Sequence, residues 1–333
     1  MRRALPLLLM LFLAVLVGCG EKEDVLEPKG SKHLELMLDY FPNADHAGIY
    51  AAQADGDFEE AGLDVAIRQP PDPAAPLKQL AAGRADLAIS YEPEVFRARD
   101  QGLPVVSVGA IVQKPLTSII SLPEGKIRGP ADLEGKTVGT AGIDYQSAYL
   151  HTILLEAGVR PDTVKERNVG FGLTPALLTG KVDAVLGAFW NYEGTELRLK
   201  GKHPRIIRMD EAGVPIYNEL VLVANERSLD RNAEKIRAFI GALSRGTRDL
   251  REDPDKAIEG LLEANPDLDP ELQRAAVKVT LPLFFPPRGK PFGWQDPEQW
   301  DAFAAWMKDN RLLERPPDAR ASYDNHLLPG SGL

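Results

Sequence analysis

Cysteine is almost absent: Cys19 is the only one in 333 residues, so no disulfide can form within the chain. Histidine is scarce as well. His33, His46, His151, His203 and His326 lie apart, with no H-x-x-x-H or C-x-x-C spacing, so no structural or catalytic zinc site is expected. There is no G-x-S-x-G elbow, no Walker loop and no G-x-G-x-x-G after a strand. Gly170-Phe171-Gly172 reads as a turn before a helix. These absences leave no catalytic residue, metal or cofactor to name, and the chain is expected not to be an enzyme. Blocks of like charge are missing too. The net charge of −10 is spread along the sequence, which argues against nucleic acid and against a basic membrane-binding face. Beyond the first twenty residues no apolar run is long enough to cross a bilayer.

What is present begins at the N-terminus. Arg2 and Arg3 precede an apolar run, Leu5 to Val17, that stops at Leu16-Val17-Gly18-Cys19. A basic start, an apolar core of about a dozen residues and a small-residue exit describe an export signal, too short for an ordinary span. Its ending resembles a bacterial lipobox, in which the cysteine is lipidated and becomes the mature N-terminus, so lipidation of Cys19 is expected. Glu21 to Lys32 is charged, carries Pro28 and Gly30, and has almost no apolar residues, which describes a tether. A body of about 300 residues remains, large for one core and comfortable for two. The expected location is extracytoplasmic, with the lipid alone touching the membrane.

The body says nearly the same thing twice. Leu80-Ala-Ala-Gly-Arg-Ala-Asp-Leu-Ala-Ile-Ser-Tyr-Glu92 is echoed by Leu178-Thr-Gly-Lys-Val-Asp-Ala-Val-Leu-Gly-Ala-Phe-Trp190. Each reads as a helix end, a glycine stop, a basic residue, an aspartate, a short apolar strand and then polar or aromatic residues. Ligands of open α/β sheets lie outside the carboxyl ends of strands, so two copies suggest two lobes offering strand ends to one cleft. In the first copy's half, strands at His33–Leu38, Leu63–Ile67, Leu87–Ile89 and Val105–Val112 alternate with helices at about Ala44–Asp55, Pro73–Ala82 and Pro93–Gln101, which calls for a largely parallel sheet. Lys114–Ser121 reads as an extended crossing segment. The second half repeats the alternation, with strands at Thr137–Gly139, Val164–Val169 and Arg205–Arg208 and a helix from Asp144 to Ala157. Glu219–Ala224 is an apolar strand returning to the first lobe. From Asn232 onward the pattern is helical, broken at Asp253-Pro254, Asn265-Pro266 and Asp269-Pro270. Asp296–Asn310 is an amphipathic helix whose Trp300, Phe303 and Met307 should pack on the first lobe. The expected organisation is a leader at 1–19, a tether at 20–32, lobe one at 33–114 and 218–333, and lobe two at 115–217. Two doubly wound α/β lobes joined by two crossovers make a hinge that can close on a ligand.

Candidate contacts gather at the strand ends. Asp39, Tyr40 and Asn43 follow the first strand and precede His46; Asn43 or Asp45 can cap the next helix, a reading that competes evenly with a ligand-facing role for the aromatics Tyr40 and Phe41. Gly48 would let its helix approach a neighbour closely. Ser90, Tyr91 and Glu92 end the first echo. Phe189, Trp190, Asn191, Tyr192 and Glu193 end the second, too aromatic for a strand that simply turns. Aromatic faces stack on flat heterocycles, and a carboxylate accepts from an exocyclic amine. Gly139-Thr140-Ala141-Gly142 opens a helix whose free N–H groups could receive a ligand acceptor, giving Gly142 as a candidate. Asn218 and Glu219, and more weakly Thr117 and Ser118, stand on the crossovers, where hinge and ligand roles compete.

Leu38-Asp39-Tyr40-Phe41-Pro42-Asn43-Ala44-Asp45-His46-Ala47-Gly48-Ile49-Tyr50, Gly56-Asp57-Phe58-Glu59-Glu60-Ala61-Gly62-Leu63-Asp64-Val65, Gly83-Arg84-Ala85-Asp86 and Gly187-Ala188-Phe189-Trp190-Asn191-Tyr192-Glu193 together resemble the NMT1/THI5-like family over nearly the whole body. That family holds solute-binding proteins of ABC importers and pyrimidine-synthesis enzymes, and the likeness is greatest to its binders of thiamine-pyrimidine precursors. The resemblance implies a type II periplasmic-binding fold and a cargo of formylaminopyrimidine or hydroxymethylpyrimidine type. It also implies ABC permease and ATPase subunits as partners of a monomeric lipoprotein. Asp39, Tyr40 and Asn43 would match the family's D-W-x-P-N motif, with Tyr40 in place of the usual tryptophan. Tyr91 and Glu92 would match its S-Y-x-P segment, and Trp190, Tyr192 and Glu193 its acidic-aromatic loop. The yeast-type synthases carry a cysteine-rich iron motif that this chain lacks. Riboflavin, taurine, sulfonate and nitrate remain alternative cargoes, and an enzyme of pyrimidine metabolism the alternative of another class.

Overall fold

In the computed structural model, residues 32–330 are described, and they build two five-stranded sheets. The expected leader, the lipidation of Cys19 and the tether through residue 31 lie outside the described residues. The first sheet holds β1 (Lys32–Met37), β2 (Leu63–Arg68), β3 (Leu87–Ser90), β4 (Val105–Val112) and β10 (Leu220–Asn225), in the order β2-β1-β3-β10-β4. The second holds β5 (Thr117–Ser121), β6 (Thr137–Thr140), β7 (Lys165–Asn168), β8 (Ala184–Phe189) and β9 (Arg205–Arg208), in the order β7-β6-β8-β5-β9. Helices cover the faces, so central strands read as apolar runs, as in β10, buried from Leu220 to Ala224.

The two orders are one topology used twice. In each sheet four strands run the same way, and the fourth place in the order is taken by the one antiparallel strand. That strand is the first one laid down after the chain crosses from the other lobe: β5 on the way out, β10 on the way back. The expected largely parallel first sheet is borne out, with β10 as the one strand that runs against β1, β2, β3 and β4. The parallel strands end at the cleft, so a chain arriving through the cleft must run away from it. Lys114–Ser121 is extended as expected, and within it Thr117–Ser121 pairs as a strand between β8 and β9.

The echoed phrase does the same physical work in both lobes. Gly83 and Gly180 adopt φ of 72° and 69° to end their helices. Asp86 then exchanges two hydrogen bonds with Glu35, its N–H donating to the carbonyl and its carboxylate accepting the N–H, both at 2.9 Å. Asp183 does this with Thr137, both at 2.8 Å. The aspartate thus docks each new strand onto its parallel neighbour and fixes where the strand ends.

Close approach of helices seats the cleft's floor in lobe one. The helix Ala47–Ala54 crosses the long helix Leu229–Glu252 through glycines: a Cβ on Gly246 would stand 2.4 Å from Gly48 O and Ala52 N. The helix Pro297–Asp309 buries Trp300, Phe303 and Met307, with Trp300 and Phe303 against Phe96 of lobe one. Its Trp306 also meets Tyr149 of the other lobe at 5.7 Å.

Candidate ligand-binding site

Strand ends decide which side chains reach the cleft. Beyond β1 come Asp39, Tyr40, Asn43 and Asp45, and beyond β3 comes Tyr91. Across from them, Ala141, Ile143, Tyr145 and Gln146 follow β6, while β8 and its exit bring Gly187, Phe189, Tyr192 and Glu193. Together they line a cavity of about 380 Å³, its mouth included. No lysine or arginine stands on this wall, whereas Asp39, Asp45 and Glu193 do.

Asp39 is buried, and both its oxygens are used. Tyr91 Oη donates to Oδ2 at 2.7 Å, and His46 Nε2 bonds Oδ1 at 2.8 Å. Asn43 N–H donates to His46 Nδ1 at 3.2 Å, which leaves the imidazole proton on Nε2, facing the carboxylate. Asn43 Oδ1 in turn accepts from Asp45 N–H at 2.8 Å, so this asparagine both caps the turn and lines the cavity.

Aromatic pairs bridge the lobes. Tyr40 meets Phe171 edge-on at 4.7 Å, and Phe41 meets Tyr192 at 5.9 Å. Deeper in, Tyr91 meets Tyr145 at 5.6 Å and Phe189 at 6.4 Å. Gly170-Phe171-Gly172 is indeed a turn, with Gly170 at φ 53°, but its phenyl ring is also one of the contacts that close the cleft. Glu193 heads the helix Glu193–Leu199, and its Oε2 accepts from Phe189 N–H at 2.7 Å. Burial pushes its carboxyl up to about 8, with Glu196 and Asp45 adding like charge. Burial also pushes Asp45 up to about 7, against the opposing pull of His46 and Asn191.

The other expected contacts lie off the cavity wall, each for a visible reason. His46 stands behind Asp39. Ser90 Oγ donates to Glu94 at 2.6 Å. Glu92 is fully buried and accepts from Asn218 N–H, Asn218 Nδ2 and Gln299 Nε2 at 2.7–2.9 Å. Glu219 accepts from Leu116 N–H, Thr117 N–H, Thr117 Oγ1 and Tyr217 Oη at 2.6–3.1 Å, so Asn218, Glu219 and Thr117 hold the crossovers. Trp190 Nε1 donates to Pro115 O at 3.1 Å, and Arg208 covers its ring at 4.1 Å. It anchors a crossover. Gly142, at φ 82°, backs onto Asn168, and the neighbouring Ala141 N–H is already taken by Gln146 Oε1 at 2.9 Å.

The profile described as NMT1/THI5 like matches residues 43–257. The chain belongs to the NMT1/THI5-like family. Within that family it is 36% identical to the formylaminopyrimidine-binding protein of Halalkalibacterium halodurans, over 95% of this chain and 97% of that one. It is 37% identical to a putative thiamine biosynthesis protein of Haemophilus influenzae, over 85% and 88%. Among solved structures, the alkanesulfonate-binding protein SsuA of Xanthomonas axonopodis superposes with a TM-score of 0.69 at 19% identity, covering 88% of this chain and 98% of that one. That likeness shows the type II periplasmic-binding fold.

One expectation is overturned by these relatives. A 4-amino-5-hydroxymethyl-2-methylpyrimidine phosphate synthase of Legionella pneumophila is 26% identical over 88% of this chain. A Saccharomyces cerevisiae synthase, THI13, is 25% identical over 89%. Members named as enzymes thus span the same length of chain as members named as binders, and missing motifs do not exclude catalysis.

Asp45, Tyr145, Gln146 and Gly187 escaped the reading of this NMT1/THI5-like sequence as cavity residues. Tyr145 and Gln146 stand in the first turn of the helix Asp144–Glu156, which opens at the cleft. Gly187 had the signal of a glycine inside a strand: at φ 97°, a Cβ there would stand 2.2 Å from Gln146 Nε2.

Proposed function

We propose that the chain is the extracytoplasmic solute-binding component of an ABC importer and captures a thiamine-pyrimidine precursor of formylaminopyrimidine or hydroxymethylpyrimidine type between its lobes. One observation carries the reading: the cavity wall is aromatic and acidic, with no lysine or arginine. Sulfonate and nitrate want positive charge or free helix N-termini. A flat ring finds aromatic faces. Glu193 supplies the polar half. Held protonated near neutral pH, its carboxyl can donate to a ring nitrogen while accepting from the amino group beside it. The name of the formylaminopyrimidine-binding relative agrees with such a cargo, and the Haemophilus influenzae relative is named for thiamine biosynthesis. Captured ligand would pass to permease and ATPase subunits, with a lipid on Cys19 holding the body at the outer face of the membrane.

Thermal shift of the purified protein with 4-amino-5-hydroxymethyl-2-methylpyrimidine, riboflavin, taurine and nitrate tests this, since stabilisation grows with ligand concentration over Kd. Stabilisation by the pyrimidine is expected; silence from every pyrimidine overturns the reading. The synthase names of the more distant relatives favour a second reading, chemistry on a pyrimidine. Incubation of the purified protein with pyrimidine probes, followed for their formation or loss, tests it.

A further inference from the structure

We propose that Asp45 is a specificity-determining residue of this cavity, accepting an N–H of the ligand on Oδ2 while Oδ1 ties the two lobes together through Asn191. The inference rests on the binding reading above and deepens it. Asp45 stands in the short turn Ala44–His46, only 3% exposed, and lines the cavity. Its Oδ1 accepts from Asn191 Nδ2 at 2.7 Å, and the same amide donates to Thr280 Oγ1 at 2.6 Å. Asn191 comes from the aromatic exit of β8 in lobe two, whereas Asp45 and Thr280 belong to lobe one. One amide therefore spends both its hydrogens across the cleft.

Oδ2 is different. Among the described residues it has no hydrogen-bond partner, although it is buried. A buried carboxylate oxygen left unpaired is costly. His46 is the neighbouring basic group, and both its ring nitrogens are engaged, with Asp39 and with Asn43 N–H. No lysine or arginine reaches the wall. A ligand N–H is the chemistry that completes this site. A primary amine on a ring fits especially well, because it carries two hydrogens, one for Glu193 and one for Asp45. An anion would instead meet an unpaired carboxylate. The ligand that satisfies Oδ2 also steadies the group that holds Asn191, so occupancy and closure favour one another.

Asp45→Asn separates these roles, since it keeps an acceptor for Asn191 and puts an amide donor where Oδ2 was. Titration calorimetry of wild type and variant uses 4-amino-5-hydroxymethyl-2-methylpyrimidine, its analogue lacking the amino group, and taurine. Asp45→Asn is expected to weaken binding of the amino probe at least tenfold and to leave the analogue unchanged within about threefold, the scale set by losing a charge-assisted hydrogen bond. Asp45→Ser provides the same comparison if the asparagine variant does not fold. Wild type that binds the amino probe, with variants that bind it equally well, overturns the role of Asp45 and leaves the binding reading standing. Wild type that binds taurine and neither pyrimidine overturns both.

Discussion

Glu193 and Glu92 differ from ordinary surface acids in holding protons near neutral pH. Glu193 and Glu92 are pushed up to about 8, and Asp45, Glu94 and Glu219 to about 7, in each case by burial. If Glu193 shares its proton with a ring nitrogen, ionisation above about pH 8 removes that bond, and affinity for an aminopyrimidine should fall about tenfold per pH unit beyond it. Glu193→Ala should bind about 10- to 100-fold more weakly. Glu193→Gln, which keeps a donor and an acceptor, should retain much of the affinity and lose the alkaline slope. Calorimetry between pH 6.5 and 9.5 checks both, and a wild-type profile that stays flat contradicts the pairing. At this scale the sequence was only partly legible. Glu193, Tyr91 and Asp39 could be placed because they follow strands directly. Trp190 looked equally suited, yet its ring is taken by Arg208 and its N–H by Pro115, partners far away in the chain.

Secondary elements were more legible, because strand alternation, glycine stops and Asp-Pro or Asn-Pro breaks are local signals. Pairing was less so. That β10 would enter antiparallel between β3 and β4 depends on the direction from which a distant segment arrives. The crossovers meet at Glu219, whose carboxyl gathers four donors from both of them. Glu219→Ala strands those donors and should cost about 2–5 kcal/mol of stability, read as a shifted denaturation midpoint with an unchanged slope. Loss of less than about 0.5 kcal/mol would contradict the pinning role. Gly246→Ala pushes a methyl against the backbone of the helix beneath Asn43 and His46, and should destabilise by about 1–3 kcal/mol. Urea titration measures it, and a neutral result would mean that the helices can part cheaply.

For the whole molecule, the five buried carboxyls raised to about 7 or 8 make stability depend on pH in one direction. Each has an ordinary value of 3.8 or 4.5 and a folded value of about 7 or 8, so the folded chain binds more protons than the unfolded chain between those limits. Stability contributed by these groups is therefore full below about pH 4 and is lost as pH rises through 7 to 8. Tm of the ligand-free protein should fall between pH 5.5 and 8.5, and Glu92→Gln should flatten part of that slope; a Tm that climbs over this range contradicts it. Two lobes and one cleft were legible from the repeated phrase, since Asp86 and Asp183 dock their strands identically. The tie from Asp45 through Asn191 to Thr280 was not, because residues 146 and 89 positions apart leave no pattern in one sequence. On the proposed function, the space the lobes enclose receives a flat, amine-bearing ring. Titration of the purified protein with 4-amino-5-hydroxymethyl-2-methylpyrimidine, and separately with taurine, at pH 7 tests it most directly. One-to-one binding of the pyrimidine and no heat from taurine is predicted; binding of taurine without binding of the pyrimidine would contradict it.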